Sequence, residues 1–268
     1  MVKLAGGKPV IVEGSEKNDM KISAGQLRDA ITPKTKLVIL NSPSNPTGMV
    51  YSGEELRSLA EVIVESGIYV LSDEIYEKLL YEGVKHVSIA SFSEEIFNRT
   101  ITVNGVSKAY CMTGWRIGML VGNASMVDAL KRVKSNMDSG IPQAIQYAAI
   151  EALTGPQDCI QEHNAIYQRR RDLVVEALNS IGLEAKLPKA SLYVWAKIPE
   201  GYTSAEFTAD LLEQVGVVVT PGTGYGPHGE GYVRLSLTIP DAGLVKGLSR
   251  LAGWRDSKNN FRKKRKLT

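Results

Sequence analysis

The stretch TITVNGVSKAYCMTGWRIGMLVG, residues 100–122, sets two near-continuous apolar runs on either side of a basic segment. TITVNG (100–105) and IGMLVG (117–122) are short β-branched or apolar runs, read as strands buried on both faces. Between them Lys108 and Arg116 sit eight positions apart with no acid in the interval. Desolvating an unpaired cation costs at least several kcal/mol. Either this segment is exposed, or a bound group supplies the negative charge.

Further strands are predicted upstream at PVIVE (9–13), KLVILN (36–41) and IYVLSD (68–73). Helical patterns separate them. SAGQLRDAI opens on Ser23 as a plausible N-cap, and SGEELRSLAEVIVESG has Ser52 and Glu55 at capping-box spacing and stops at Gly67. Strand and helix alternating in this way predict an α/β fold, a mostly parallel sheet with helices on both faces. After Gly122 the texture changes. Helices are predicted over 125–135, 141–153 and 157–180, followed by strand LYVWAKI (192–198), helix SAEFTADLLEQVG, strands VVVT (217–220) and YVRLSL (232–237), and helix DAGLVKGLSRLAGW. That order predicts a large domain over 1–155, a small α+β domain over 156–254 and a basic, disordered tail over 255–268.

With 268 residues, 43% of them hydrophobic and 23% charged, the chain can bury a sizeable core without metals or disulfides. Two cysteines, Cys111 and Cys159, make no disulfide framework, so a reduced, cytoplasmic protein is expected. The three histidines, His86, His163 and His228, lie at no ligand spacing, and no metal is expected. No apolar run approaches the ~20 residues of a membrane span, and the first residues lack the apolar stretch of a secretory signal. The net charge of +3 hides an asymmetry: residues 255–268 hold seven Lys/Arg and one Asp, so the rest is mildly acidic. Such a tail could touch nucleic acid or anionic lipid, but a solvated end is the simpler reading, and neither partner is expected.

In open α/β sheets, ligands bind beyond the carboxyl ends of the strands. KLVIL is followed by NSPSNPTG (41–48), YVLS by DEIY (73–76), and ITVNG by VSKAY and then TGWRIG. These strand ends bring an amide (Asn45), a carboxylate (Asp73), a phenol (Tyr76), an amine (Lys108) and a guanidinium (Arg116) to one edge of the sheet. Pyridoxal phosphate uses all five. Lys108 would form the Schiff base, and Asp73 would keep the pyridine nitrogen protonated so that the ring acts as an electron sink. Asn45 and Tyr76 would donate to the ring phenolate, and Arg116 would clamp the phosphate. The charge missing from 106–118 would then be that phosphate. Taken singly, each residue has a plainer use: turn chemistry for Asn45, a helix cap for Asp73, packing for Tyr76, a solvated face for Lys108 and Arg116. Their order after successive strands carries the inference.

NSPSNPTG, SDEIY, SKAYCMTGWRIG and YVRLSL together resemble the ordered motifs of class I/II aminotransferases of fold type I, over about residues 1–254. The first half is most similar to aspartate aminotransferases of the Ib subgroup. KSNMDSGIPQAIQYAAIEAL, YTSAEF and VVVTPGTGYGPHGEGYVRLSLT look more like LL-diaminopimelate aminotransferases. The resemblance implies a homodimeric, pyridoxal-phosphate-dependent enzyme of amino-acid biosynthesis. It would move an amino group between an aspartate-like or LL-diaminopimelate-like amino acid and a 2-keto acid such as 2-oxoglutarate. It implies Lys108, Asp73 and Tyr76 as catalytic residues and Ser107 as a further phosphate contact. Asn45 and Arg234 would bind substrate, Arg234 gripping its α-carboxylate. Some members carry a serine three residues before the lysine; here that position is Gly105. Members also carry additional chain at the front, with a phosphate-binding helix N-terminus and a ring stacked on the cofactor, so the resemblance implies an N-terminally truncated version of the fold. Another fold-type I chemistry, a β-lyase or decarboxylase, and an inactive remnant both stay open.

Overall fold

A computed structural model describes residues 2–265, with side chains described to Trp254. The chain divides into two units, Met1–Pro43 with Met49–Ile160 and Ser44–Gly48 with Gln161–Thr268.

The first unit runs α1 (Ala24–Ala30), β1 (Leu37–Asn41), α2 (Gly53–Ser66), β2 (Tyr69–Asp73), α3 (Glu94–Phe97), β3 (Thr100–Gly105), α4 (Val106–Ala109), β4 (Gly118–Gly122), α5 (Ala124–Ser135) and α6 (Gln143–Thr154). Its sheet has the order β1-β2-β3-β4, with the first three strands parallel and β4 antiparallel to β3. Asn41 pairs with Asp73 and Asp73 with Val103, so three carboxyl ends lie side by side. The anticipated capping box of Ser52 with Glu55 forms, and the Ser23 N-cap proves to be a second one, with Gln26. The apolar stripe of α2 (Leu56, Leu59, Ile63) packs with Leu40, Val70 and Ile96 into one core. Cover is uneven, because Leu37, Ile39 and Tyr69, on the other face of the same strands, are exposed.

PVIVE is not a strand. Residues 9–13 have no ladder partner, and Val10 and Ile11 are 66% and 68% exposed. An extended segment becomes a strand only by pairing its backbone, and the pairing nearest to it is the single bridge Ser15–Lys21, which closes a short turn beyond it.

The second unit takes most of α7 (Asp158–Ser180), then β5 (Glu184–Ala185), β6 (Tyr193–Lys197), α8 (Ser204–Val215), β7 (Thr220–Pro221), β8 (Tyr232–Ser236) and α9 (Asp241–Arg265). Its sheet, β5-β6-β8-β7, is antiparallel throughout. Val174 and Leu178 of α7, Phe207 and Leu211 of α8, Val194, Val233 and Trp254 share its core. The Trp254 indole N–H donates to Asp210 at 2.8 Å, which satisfies its one polar atom. Ser44–Gly48 belongs here because Lys189 N–H donates to the Gly48 carbonyl at 3.2 Å, a docking that sequence texture does not reveal.

Two expectations change. VVVT contributes only Thr220 to β7: Gly216, in the left-handed region, ends α8, and Val217 N–H bonds back to Leu211, committing that backbone to closing the helix. The tail expected to be disordered from 255 instead continues α9 as helix to Arg265. RDSKNNFRKKR has no proline or glycine to stop the i to i−4 ladder. Residues 266–268 of that tail lie outside the described residues. Among the described residues no helix is long and apolar enough to cross a membrane.

Candidate functional site

In the first unit the site residues sit where β2 and β3 end. Asp73, half-buried, closes β2. Its carbonyl accepts from Ser42 N–H (3.2 Å) and Asn41 Nδ2 (3.1 Å), and its Oδ1 accepts from Ile75 N–H (3.3 Å). Burial pushes its carboxyl pKa up, the neighbouring Glu74 adds to this in a smaller measure, and the Ile75 N–H opposes it. Tyr76 follows, 3% exposed, and the Lys108 Nζ lies 5.8 Å from the centre of its ring.

Lys108 stands on α4, the single turn that β3 enters directly. The loop beyond is tied to itself: Thr113 Oγ1 donates to the Ser107 carbonyl and Arg116 Nη1 to the Thr113 carbonyl, both at 2.8 Å. Ser107 and Arg116 are thereby held in one loop, with Arg116 in the left-handed region at φ 55°. Arg116 is exposed. Of the two readings of the basic stretch, solvent therefore suffices for the Arg116 charge, and the guanidinium is free to meet an anion.

In the second unit Arg234 projects from β8. Its Nη1 donates to Asn45 Oδ1 at 2.9 Å, and its guanidinium carbon lies 3.8 Å from the centre of the Tyr193 ring and 4.8 Å from that of Tyr225. Its Nε is buried without a hydrogen-bond partner. Trp195 stacks on Tyr232 and meets Tyr225 edge-on, so the aromatic side of the arginine is itself braced. Burial raises the Tyr225 phenol pKa, and the Arg234 charge opposes that.

Asp73, Tyr76, Lys108, Ser107 and Arg116 thus belong to one unit and Asn45 and Arg234 to the other. Asn45 is the residue assigned from sequence to both cofactor and substrate, and its side-chain oxygen accepts from Arg234. Tyr193 and Tyr225 were not anticipated. A signal existed for Tyr193: LYVWAKI alternates, which puts Tyr193 and Trp195 on one strand face, and Trp195 pairs with Arg234 in the ladder.

A family model described as aminotransferase class I and II matches residues 1–251. An LL-diaminopimelate aminotransferase of Dehalococcoides mccartyi is 48% identical over 255 residues, which cover 94% of this chain and 65% of that protein. An aspartate aminotransferase of Bacillus sp. (strain YM-2) is 47% identical over 232 residues, 84% of this chain and 59% of that protein. The chain therefore spans less than two thirds of the length of these relatives. Among solved structures, aspartate aminotransferase from Thermus thermophilus with maleate superposes with a TM-score of 0.88 at 40% identity, covering 94% of this chain and 65% of that one. The match runs through nearly the whole sequence: this chain belongs to the class I and II aminotransferase family.

Proposed function

We propose that this chain carries pyridoxal-phosphate-binding and substrate-binding parts of an aminotransferase that moves an amino group between an L-amino acid and a 2-keto acid. The observation that carries this reading is a half-buried carboxylate, Asp73, and an amine, Lys108, at adjacent parallel strand ends beside the buried Tyr76 ring. The donor set fits the cofactor: one amine for its aldehyde, one carboxylate made more basic by burial for its ring nitrogen, and an exposed guanidinium with a hydroxyl, Arg116 and Ser107, for its phosphate. When bound, the cofactor supplies a ring that draws electrons from the carbon losing its proton.

Lys108 Nζ would hold the cofactor through its aldehyde and, as a free amine, would serve as the base that takes the proton from the substrate α-carbon. Asp73 would hold a proton on the ring nitrogen. The raised basicity of its carboxyl suits that sharing. Tyr76 O–H would be a donor to the ring oxygen. Arg234, with one edge on Asn45 and its face against Tyr193, meets the α-carboxylate through its remaining N–H groups in a two-pronged pair.

The names of the relatives support an aspartate-like or LL-diaminopimelate-like amino donor, and 2-oxoglutarate is the acceptor we adopt. A cytoplasmic homodimer is the assembly this reading adopts. The test is the absorbance of the purified chain with added pyridoxal phosphate, before and after borohydride, followed by peptide mapping. A yellow band and a label confined to Lys108 are expected. No band, or label spread over surface lysines, overturns the reading. Lys108→Ala should abolish amino transfer to 2-oxoglutarate, and near-normal transfer by that variant would refute the assignment.

A further inference from the structure

Glu74, next to Asp73, is 2% exposed and has no part in the chemistry above. Its Oε1 accepts from Ser72 Oγ and Ser88 Oγ, each at 2.8 Å, and its Oε2 meets His86 Nε2 at 2.7 Å. His86 Nδ1 is buried with no partner, so Nε2 is the ring nitrogen that serves Glu74, as its donor. The backbone around it is equally constrained. Glu74 N–H donates to Val103 at 3.0 Å, extending the β2–β3 ladder by one residue, while the Asp73 carbonyl takes two donors of its own. Side chains alternate along a strand, so Ser72 and Glu74 share the covered face and Asp73 points to the other.

We infer that Glu74 is a positioning residue for Asp73: its carboxylate, tied to Ser72, Ser88 and His86, locks the end of β2 so that Asp73 keeps one direction toward the ring nitrogen of a pyridine cofactor. This rests on the role proposed above for Asp73. A buried carboxylate is costly to desolvate, and an apolar residue of similar volume often stabilises a fold as well or better. Three donors from two chain segments converge on a side chain adjacent to the catalytic carboxylate. Fixing one side of a strand end fixes the other, because both side chains hang from a single clamped peptide.

The test compares equilibrium affinities of the full cofactor-free chain for pyridoxal phosphate and for its 1-deaza analogue, in which carbon replaces the ring nitrogen. The parent should prefer the nitrogen compound by about tenfold or more, the worth of a charge-assisted hydrogen bond. Glu74→Gln, whose amide cannot accept from all three donors, should lose most of that preference while its affinity for the deaza analogue stays within about twofold of the parent. Ser88→Ala, which removes one donor, should lose about threefold and serves if Glu74→Gln does not fold. His86→Gln keeps a donor to Glu74 and should retain the preference. Should Glu74→Gln keep the full preference, or lose affinity for both compounds equally, Glu74 is merely structural and the inference falls. A parent with no preference at all overturns the role of Asp73 itself, a failure distinguishable from the other.

Discussion

Replacing Gly48 with alanine should destabilise the second unit by about 3 kcal/mol. Gly48 ends the SPSNPTG loop at φ +67°, where an L-residue loses roughly 1–2 kcal/mol to its own backbone. A Cβ there would also stand 2.4 Å from Pro188 Cβ and 2.7 Å from the Ala190 carbonyl oxygen. Neither atom belongs to a flexible tip, so the backbone must move, which adds roughly 1–3 kcal/mol. The movement would break the Lys189-to-Gly48 hydrogen bond and carry Asn45, three residues upstream, away from Arg234. Gly216 is the internal control. It lies in the same unit at φ +64°, but its nearest neighbour is the tip of Arg250, 3.2 Å away, which can swing aside. Gly216→Ala should therefore lose only the backbone part, about 1 kcal/mol. Urea denaturation followed by tryptophan fluorescence in a Trp115→Phe background reads this unit, since it contains the other two tryptophans, Trp195 and Trp254. Equal losses in the two variants would show that the loop is not docked as described.

Asp73→Asn should stabilise the cofactor-free chain near neutral pH. Because the folded-state pKa of Asp73 is raised, its contribution is fully present below the ordinary aspartate value and is lost as pH rises through the folded value; ionised Asp73 is thus a liability at pH 7. The amide oxygen can still accept from Ile75 N–H, so calorimetry should find a higher midpoint at pH 7 and none of the gain below about pH 3. A lower midpoint at pH 7 would contradict the burial argument. Tyr193→Leu combined with Arg234→Met in a double-mutant cycle should give a coupling of about 0.5–1 kcal/mol, which Tyr193→Phe preserves because its ring face remains. Coupling indistinguishable from zero would mean that the ring does not hold the arginine.

The strands of the mostly parallel sheet were legible because they are short, β-branched and bounded by polar residues. TITVNG matches β3 from first residue to last, and KLVILN and IYVLSD each run one residue longer than the strand formed. The same rule misjudges PVIVE and VVVT, since composition reports that a segment can pair and says nothing of whether an edge is there to receive it. Helix signals behaved in a similar way. Ser23 and Ser52 announce helix starts through local geometry, whereas the end of α9 had no stop signal to read before Arg265.

The sequence by itself determined which residue types the proposed chemistry rests on: a carboxylate, a phenol, a lysine and an arginine in that order after successive strands. Those residue types are dictated by reactivity, and their order survives any packing detail. Tertiary structure alone decided who holds them. Asn45 meets Arg234 across 189 positions, and Glu74 finds His86 and Ser88 twelve and fourteen residues away. Tyr193 and Tyr225 reach the same guanidinium from a strand and a short 3-10 helix. No periodicity or motif encodes such pairs, because hydrogen-bond and ring-contact partners are chosen by distance in space, and distance is settled only when the cores close.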